Sequence, residues 1–141
     1  MSEENVEIVR RTNEAFNHGE IVVALTDFMA PDIVYFELDA YLDTPAVVRG
    51  REACVKAMFD FISAFQEFRA DIEDIADAGD WVITLTHWQG SGAESGASVD
   101  LREVIGWRLQ DGLAVEGRVF ASWQEALEAV GLSEQDAHAD F

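Results

Sequence analysis

Three side chains in this sequence, Glu37, Glu103 and His87, have the chemistry and spacing to move protons in an apolar setting. Alternate strand residues point the same way, so Ile33, Tyr35 and Glu37 share one face of an extended segment, Leu101, Glu103 and Trp107 a face of another, and Ile83, Leu85 and His87 a face of a third. If each of these faces lines one chamber, two carboxyls and an imidazole meet in it. Burial pushes at least one acid toward its neutral form, which makes a general acid and a general base from identical side chains, with the imidazole as proton carrier. Each residue also has a plainer use. Glu37 can pair with Arg49 or Arg51, and Glu103 with Arg102, Arg108 or Arg118; a register slipped by one residue would put Glu103 on an exposed face, and His87 can be a satisfied or part-exposed histidine.

Other chemistries lack their residues. His18, His87, His138 and Cys54 show no metal-ligand spacing, so neither a metal nor another cofactor is expected. The segment Gly90-Ser91-Gly92-Ala93-Glu94-Ser95-Gly96 lacks the Lys-Ser/Thr of a phosphate loop and reads as a hairpin connection. Cys54 stands inside an apolar helical pattern, where a small buried thiol is ordinary. The 28 Asp and Glu against 9 Lys and Arg give a formal net charge of −19, a field that repels nucleic-acid phosphates and anionic membrane surfaces. The acidic start and the lack of a long apolar run point to a cytoplasmic protein.

The elements that must position these residues follow from periodicity. Val6, Val9 and Phe16 mark a helix over 3–18 that stops at Gly19, and Val22, Leu25 and Met29 a second over 21–29. Residues 33–38 read as a strand and 39–49 as a loop. Gly50 opens a third helix with an apolar stripe of Val55, Met58, Phe59, Ile62 and Phe65, and with Glu52 and Lys56 spaced to pair. Beyond residue 66 the period becomes two, giving strands over 68–76, 81–89, 99–109 and 113–121, then a short helix over 124–130 ending at Gly131. The expected architecture is one α+β domain over 1–132 with a frayed tail over 133–141. Three helices of the N-terminal half pack on one side of a curved antiparallel sheet to make a cone with a buried pocket, and Gly106 and Gly117 are the expected kinks.

Several stretches together resemble the SnoaL-like branch of the nuclear transport factor 2-like (NTF2-like) superfamily. They are Glu4-Asn5-Val6-Glu7-Ile8-Val9-Arg10-Arg11, Ala15-Phe16-Asn17-His18-Gly19, Pro31-Asp32-Ile33-Val34, Arg49-Gly50-Arg51-Glu52, Ser95-Gly96-Ala97, Asp111-Gly112 and Glu125-Ala126-Leu127-Glu128-Ala129-Val130-Gly131-Leu132. The resemblance implies the cone fold and a superfamily of polyketide cyclases, isomerases, dehydratases, epoxide hydrolases and pure binding proteins; fold alone does not choose among them. In the ketosteroid isomerase pattern Glu37 stands at the base, but Thr12 and Ile105 replace the two oxyanion donors. In the limonene-type epoxide hydrolase pattern one of the acids falls at Val119.

The leading expectation is therefore a cofactor-free cyclase or isomerase using Glu37, with Glu103 or His87, on a small hydrophobic carbonyl compound held by Tyr35, Trp107, Phe16 and Val119. The alternatives are a non-catalytic protein that binds a small hydrophobic molecule and a protein-interaction module that uses its sheet face. Trp88, read as lying on the reverse face with Thr84 and Thr86, is the expected anchor of a homodimer through the outer sheet face, an arrangement the resemblance also suggests.

Overall fold

The sheet is built from one long meander. In the computed structural model, which describes residues 2–38, 46–92 and 98–132, strands β3 (Glu67–Ala78), β4 (Trp81–Ser91), β5 (Ser98–Gln110) and β6 (Leu113–Phe120) pair antiparallel in sequence order. Two shorter strands, β1 (Met29–Phe36) and β2 (Val47–Arg49), complete the order β2-β1-β6-β5-β4-β3. β1 runs parallel to β6, so the sheet is mixed at that join rather than antiparallel throughout. Strand β1 also begins four residues earlier than its β-branched run suggests, at Met29, because Met29 pairs with Ala114 across a register irregularity. Pro31, which has no N–H to donate, falls inside that irregularity. β2, of three residues, is too short to announce itself in a segment that otherwise reads as loop. The tip of that loop (39–45), the connection 93–97 and the expected tail 133–141 lie outside the described residues.

Helices α1 (Ser2–Asn17), α2 (Ile21–Phe28) and α3 (Arg51–Ile62) cover the inner face, with Gly19 and Gly50 at φ +88 and +91 making the breaks around them. The amide of Asn17 bonds both backbone groups of Ala70, at 2.6 Å to its oxygen and 2.9 Å from its nitrogen, and Asn13 adds a 3.0 Å bond to the same oxygen. Ala70 lies on the edge strand β3, so α1 supplies the hydrogen bonds that a further strand would have made. The inner core joins Val9, Phe16, Leu25 and Phe28 to Ile33, Ile105, Trp107 and Val119. On α3 the buried positions are Cys54 and Ile62, whereas Phe59, expected in the stripe, is 46% exposed. Lys56 turns away from Glu52 and pairs with Asp60 at 2.6 Å.

A fourth helix, α4 (Trp123–Ala129), capped by Ser122 Oγ accepting from the Glu125 N–H at 3.1 Å, packs on the opposite face of the sheet. There Ala126 and Leu127 bury Ala76, Ile83, Val104 and Phe120, so the sheet has apolar packing on both sides.

The curvature comes from extra residues in two strands. Glu73 interrupts the β3–β4 register and Val115 the β5–β6 register. Gly106 and Gly117, expected as kinks, lie instead in unbroken register, and each makes room for rings. A Cβ on Gly117 would stand 2.5 Å from Tyr35 Cδ2 and 2.6 Å from Trp107 Cζ3. Gly117→Ala is therefore expected to lower stability by about 1–3 kcal/mol through overpacking, read as a fall in the denaturation midpoint at unchanged slope.

Candidate active site

The inner wall is set by strand parity. Tyr35 and Trp107 are both register partners of Gly117, and their rings sit 5.7 Å apart above it, with Phe28 edge-on to Trp107 at 5.0 Å. Two residues beyond Tyr35, the Glu37 N–H donates to the Ala46 carbonyl at 2.9 Å, which extends the β1 backbone and its alternation. Along β5, Ile105 and Glu103 share the face of Trp107; Ile105 lies opposite Val119 and Glu103 opposite Thr86. Glu37 and Glu103 are thus brought to one face of the sheet, as the alternation requires.

Glu37 carries the perturbed acidity of the site. Its Oε1 is buried without a hydrogen-bond partner among the described residues. Desolvation first, and then the charge of Glu103, push its pKa from 4.5 up to about 7. The three arginines that the sequence offered to Glu103 are engaged elsewhere. Arg102 binds Glu73 at 2.6 Å, Arg108 and Arg118 bind Glu116 at 3.5 and 3.1 Å, and Arg118 also lies 4.0 Å over the Phe36 ring.

His87 does not join the acids. The register pairs it with Asp71 and Arg102 on the outer face, where its ring contacts Asp100 at 2.6 Å and Glu73 at 3.7 Å. Ile83 and Leu85, with which it is in phase, do belong to a core, but to the one under α4. Trp88, Thr84 and Thr86 consequently face inward, and the aromatic anchor expected for an outer-face dimer is inside the cone.

A cavity of about 60 Å³ lies on the same face of the sheet, bounded by α1, α2 and α3 on one side and by β3, β4 and β5 on the other; neither Glu37 nor Glu103 is among its lining residues, and Glu103 adjoins it through its register partner Thr86. Phe16, Leu25, Phe28, Met58, Ile105 and Trp107 make it mostly apolar, and Thr12, Asn13, Thr84, Thr86 and Trp88 are its polar members. Of the residues expected to hold a ligand, Phe16 and Trp107 line this cavity directly; Tyr35 packs against Trp107, and Val119 belongs to the core beside Ile105. Thr84 and Thr86 escape a reading by hydrophobic pattern because their face is the less apolar of the two on β4. Trp88 Nε1 is also buried without a partner among the described residues, a state that costs about 1–3 kcal/mol. Cys54 is a core thiol near the Val48 carbonyl, at 3.8 Å, and burial raises its pKa, which opposes thiolate chemistry. Among the described residues no group of three or more His, Cys, Asp or Glu side chains is arranged to hold a metal ion, and no helix is long and apolar enough to cross a membrane.

The sequence model of the SnoaL-like domain matches residues 9–117. The chain belongs to the SnoaL-like family. Solved structures share its NTF2-like fold at low identity. An NTF2-like protein of unknown function from Burkholderia pseudomallei is 20% identical with a TM-score of 0.70, over 91% of this chain and 98% of that one. TerC, co-crystallised with polyporic acid, is 15% identical with a TM-score of 0.70, over 90% and 98%. Bal32a, from a soil-derived mobile gene cassette, is 22% identical with a TM-score of 0.73, over 84% and 89%. No curated protein matches the chain by sequence.

The raised acidity of Glu37 has a sign that can be measured. Its proton is held more tightly in the folded chain, so its contribution to stability is fully present below about pH 4.5 and is lost as pH rises to about 7. Glu37→Gln is expected to remove this loss. Measured by denaturant unfolding, the variant should gain about 1–2 kcal/mol on the parent between pH 4.5 and 7.5, a range already reduced for solvent screening.

Proposed function

We propose that this protein is a cofactor-free acid–base catalyst acting on a small hydrophobic carbonyl compound, with Glu37 as the group that takes and returns the proton. The observation that carries this reading is the half-buried Glu37 carboxyl, with Oε1 buried and unbonded among the described residues and a pKa of about 7. Near neutral pH it is divided between its two forms, which suits a residue that acts first as base and then as acid. In the proposed step a C–H bond next to the carbonyl breaks, the proton passes to a Glu37 oxygen, and the electron pair moves into an enolate. In an unsaturated compound, return of the proton to the far carbon of the dienolate shifts the double bond and isomerises it; alternatively the enolate carbon attacks a second carbonyl to close a ring, and the alkoxide so formed takes the proton back from Glu37. Glu103 serves by its charge, which keeps Glu37 basic enough to accept a proton from carbon.

A second reading, binding without chemistry, is favoured by the cavity wall, which is apolar over most of its extent. Exchange of the α-protons of butan-2-one in D2O, followed by proton NMR, separates the two. The parent should accelerate exchange with a pH midpoint near the Glu37 pKa of about 7. Glu37→Gln should lose at least about 100-fold of that acceleration, and Glu103→Gln should move the midpoint to lower pH. Equal rates for parent and Glu37→Gln would leave binding as the function.

A further inference from the structure

The cavity holds one polar group that the proton-transfer scheme does not use. Of its polar side chains, Thr12 donates to the Ile8 carbonyl at 2.8 Å and Asn13 to the Ala70 carbonyl at 3.0 Å. Thr86 donates to Thr84 at 3.2 Å, and Thr84 to the Ile105 carbonyl at 3.4 Å. Trp88 is different. Its Nε1 is buried and meets no acceptor among the described residues. An indole has one N–H and no acceptor, so it cannot satisfy itself by rotating or changing tautomer. Its ring is also held, edge-on to Phe16 at 5.9 Å and tilted against Phe68 at 5.6 Å. Trp123 Nε1 shares the unpaired state, but that ring packs on the outer core beneath α4.

Register places this donor near the acids. Trp88 lies opposite Leu101 and Thr86 opposite Glu103, which makes Trp88 and Glu103 diagonal neighbours on the inner face, about 7–8 Å apart. An oxygen acceptor bound at the indole would therefore lie on the same face of the sheet as Glu103. Apart from the Asn13 amide, of whose two N–H groups one is bonded to Ala70, the remainder of the wall offers carbon contacts and hydroxyls whose protons are already committed.

We propose that the Trp88 indole N–H is the donor that holds the carbonyl oxygen of the ligand, and that it selects compact compounds with one oxygen acceptor among apolar carbons. The proposal rests on the reading of the pocket as a carbonyl site, and it adds the group that orients the carbonyl and stabilises negative charge as it develops on that oxygen. It also bears on size. The cavity is smaller than the about 150 Å³ that admits a benzene ring, so the ligand is small, or Met58, the flexible thioether in the α3 wall, moves to make room.

The test pairs butan-2-one with its hydrocarbon isostere 2-methylbut-1-ene, titrated into 15N-labelled protein. The Trp88 indole signal is assigned by its absence from Trp88→Phe, which keeps an aromatic ring and removes the donor. The ketone should shift that signal downfield and the alkene should not. Trp88→Phe should bind the ketone roughly ten-fold more weakly and the alkene unchanged. An indole signal in the parent that does not respond to the ketone, equal weakening for both compounds, or no saturable ketone binding would each overturn the proposal. Trp88-dependent ketone binding without Glu37-dependent proton exchange would overturn the catalytic reading alone.

Discussion

The site depends on the packing of two rings over one glycine. Tyr35 and Trp107 meet above Gly117, at distances that leave no space for a Cβ, and this contact joins β1, β6 and β5 with their inner faces in phase. Strand alternation then fixes the direction of the side chains on either side of that contact. Glu37, two residues beyond Tyr35, and Glu103, four residues before Trp107, are carried to the same side, and a slip of one residue would send both outward.

The electrostatics of the site depend on where the cations are not. Arg102, Arg108 and Arg118 occupy strand positions of the opposite parity, so they meet Glu73 and Glu116 on the outer face, while the acidity of Glu37 is set by burial first and then by the charge of Glu103. A carboxyl in that position is costly to ionise, and burial of the apolar core shared by α1, α2 and the inner strands offsets the cost. Such a price in stability is what a functional group near neutral acidity is expected to carry. The strongly negative net charge of the chain adds little to this, because most of its acids are solvated and screened.

Much of the architecture was legible in the residues. The change of period after residue 66 marked the meander, Gly19 and Gly131 marked helix ends with φ of +88 and +81, and the inward direction of Glu37 and Glu103 followed from their spacing to Tyr35 and Trp107. The parallel join of β1 to β6 was not legible, since pairing between segments some eighty residues apart leaves no local signature. The glycines at 106 and 117 were visible as exceptions within strands, but their purpose depends on rings contributed by other strands.

The inward face of β4 shows most clearly where sequence stops. Alone, the sequence determined the order of the longer elements, the resemblance to the family, and the two acids as candidates whose shared side waited on the register. Only the tertiary structure decided that Thr84, Thr86 and Trp88 line the chamber while His87 stands outside with Asp100. The physical reason is α4. Ile83 and Leu85 make the more apolar face of β4, and apolarity alone assigns that face to the pocket. Ala126 and Leu127, some forty residues later in the chain, cover it from the other side. A strand with a core on each face gives hydrophobic pattern no means of telling which core holds the site.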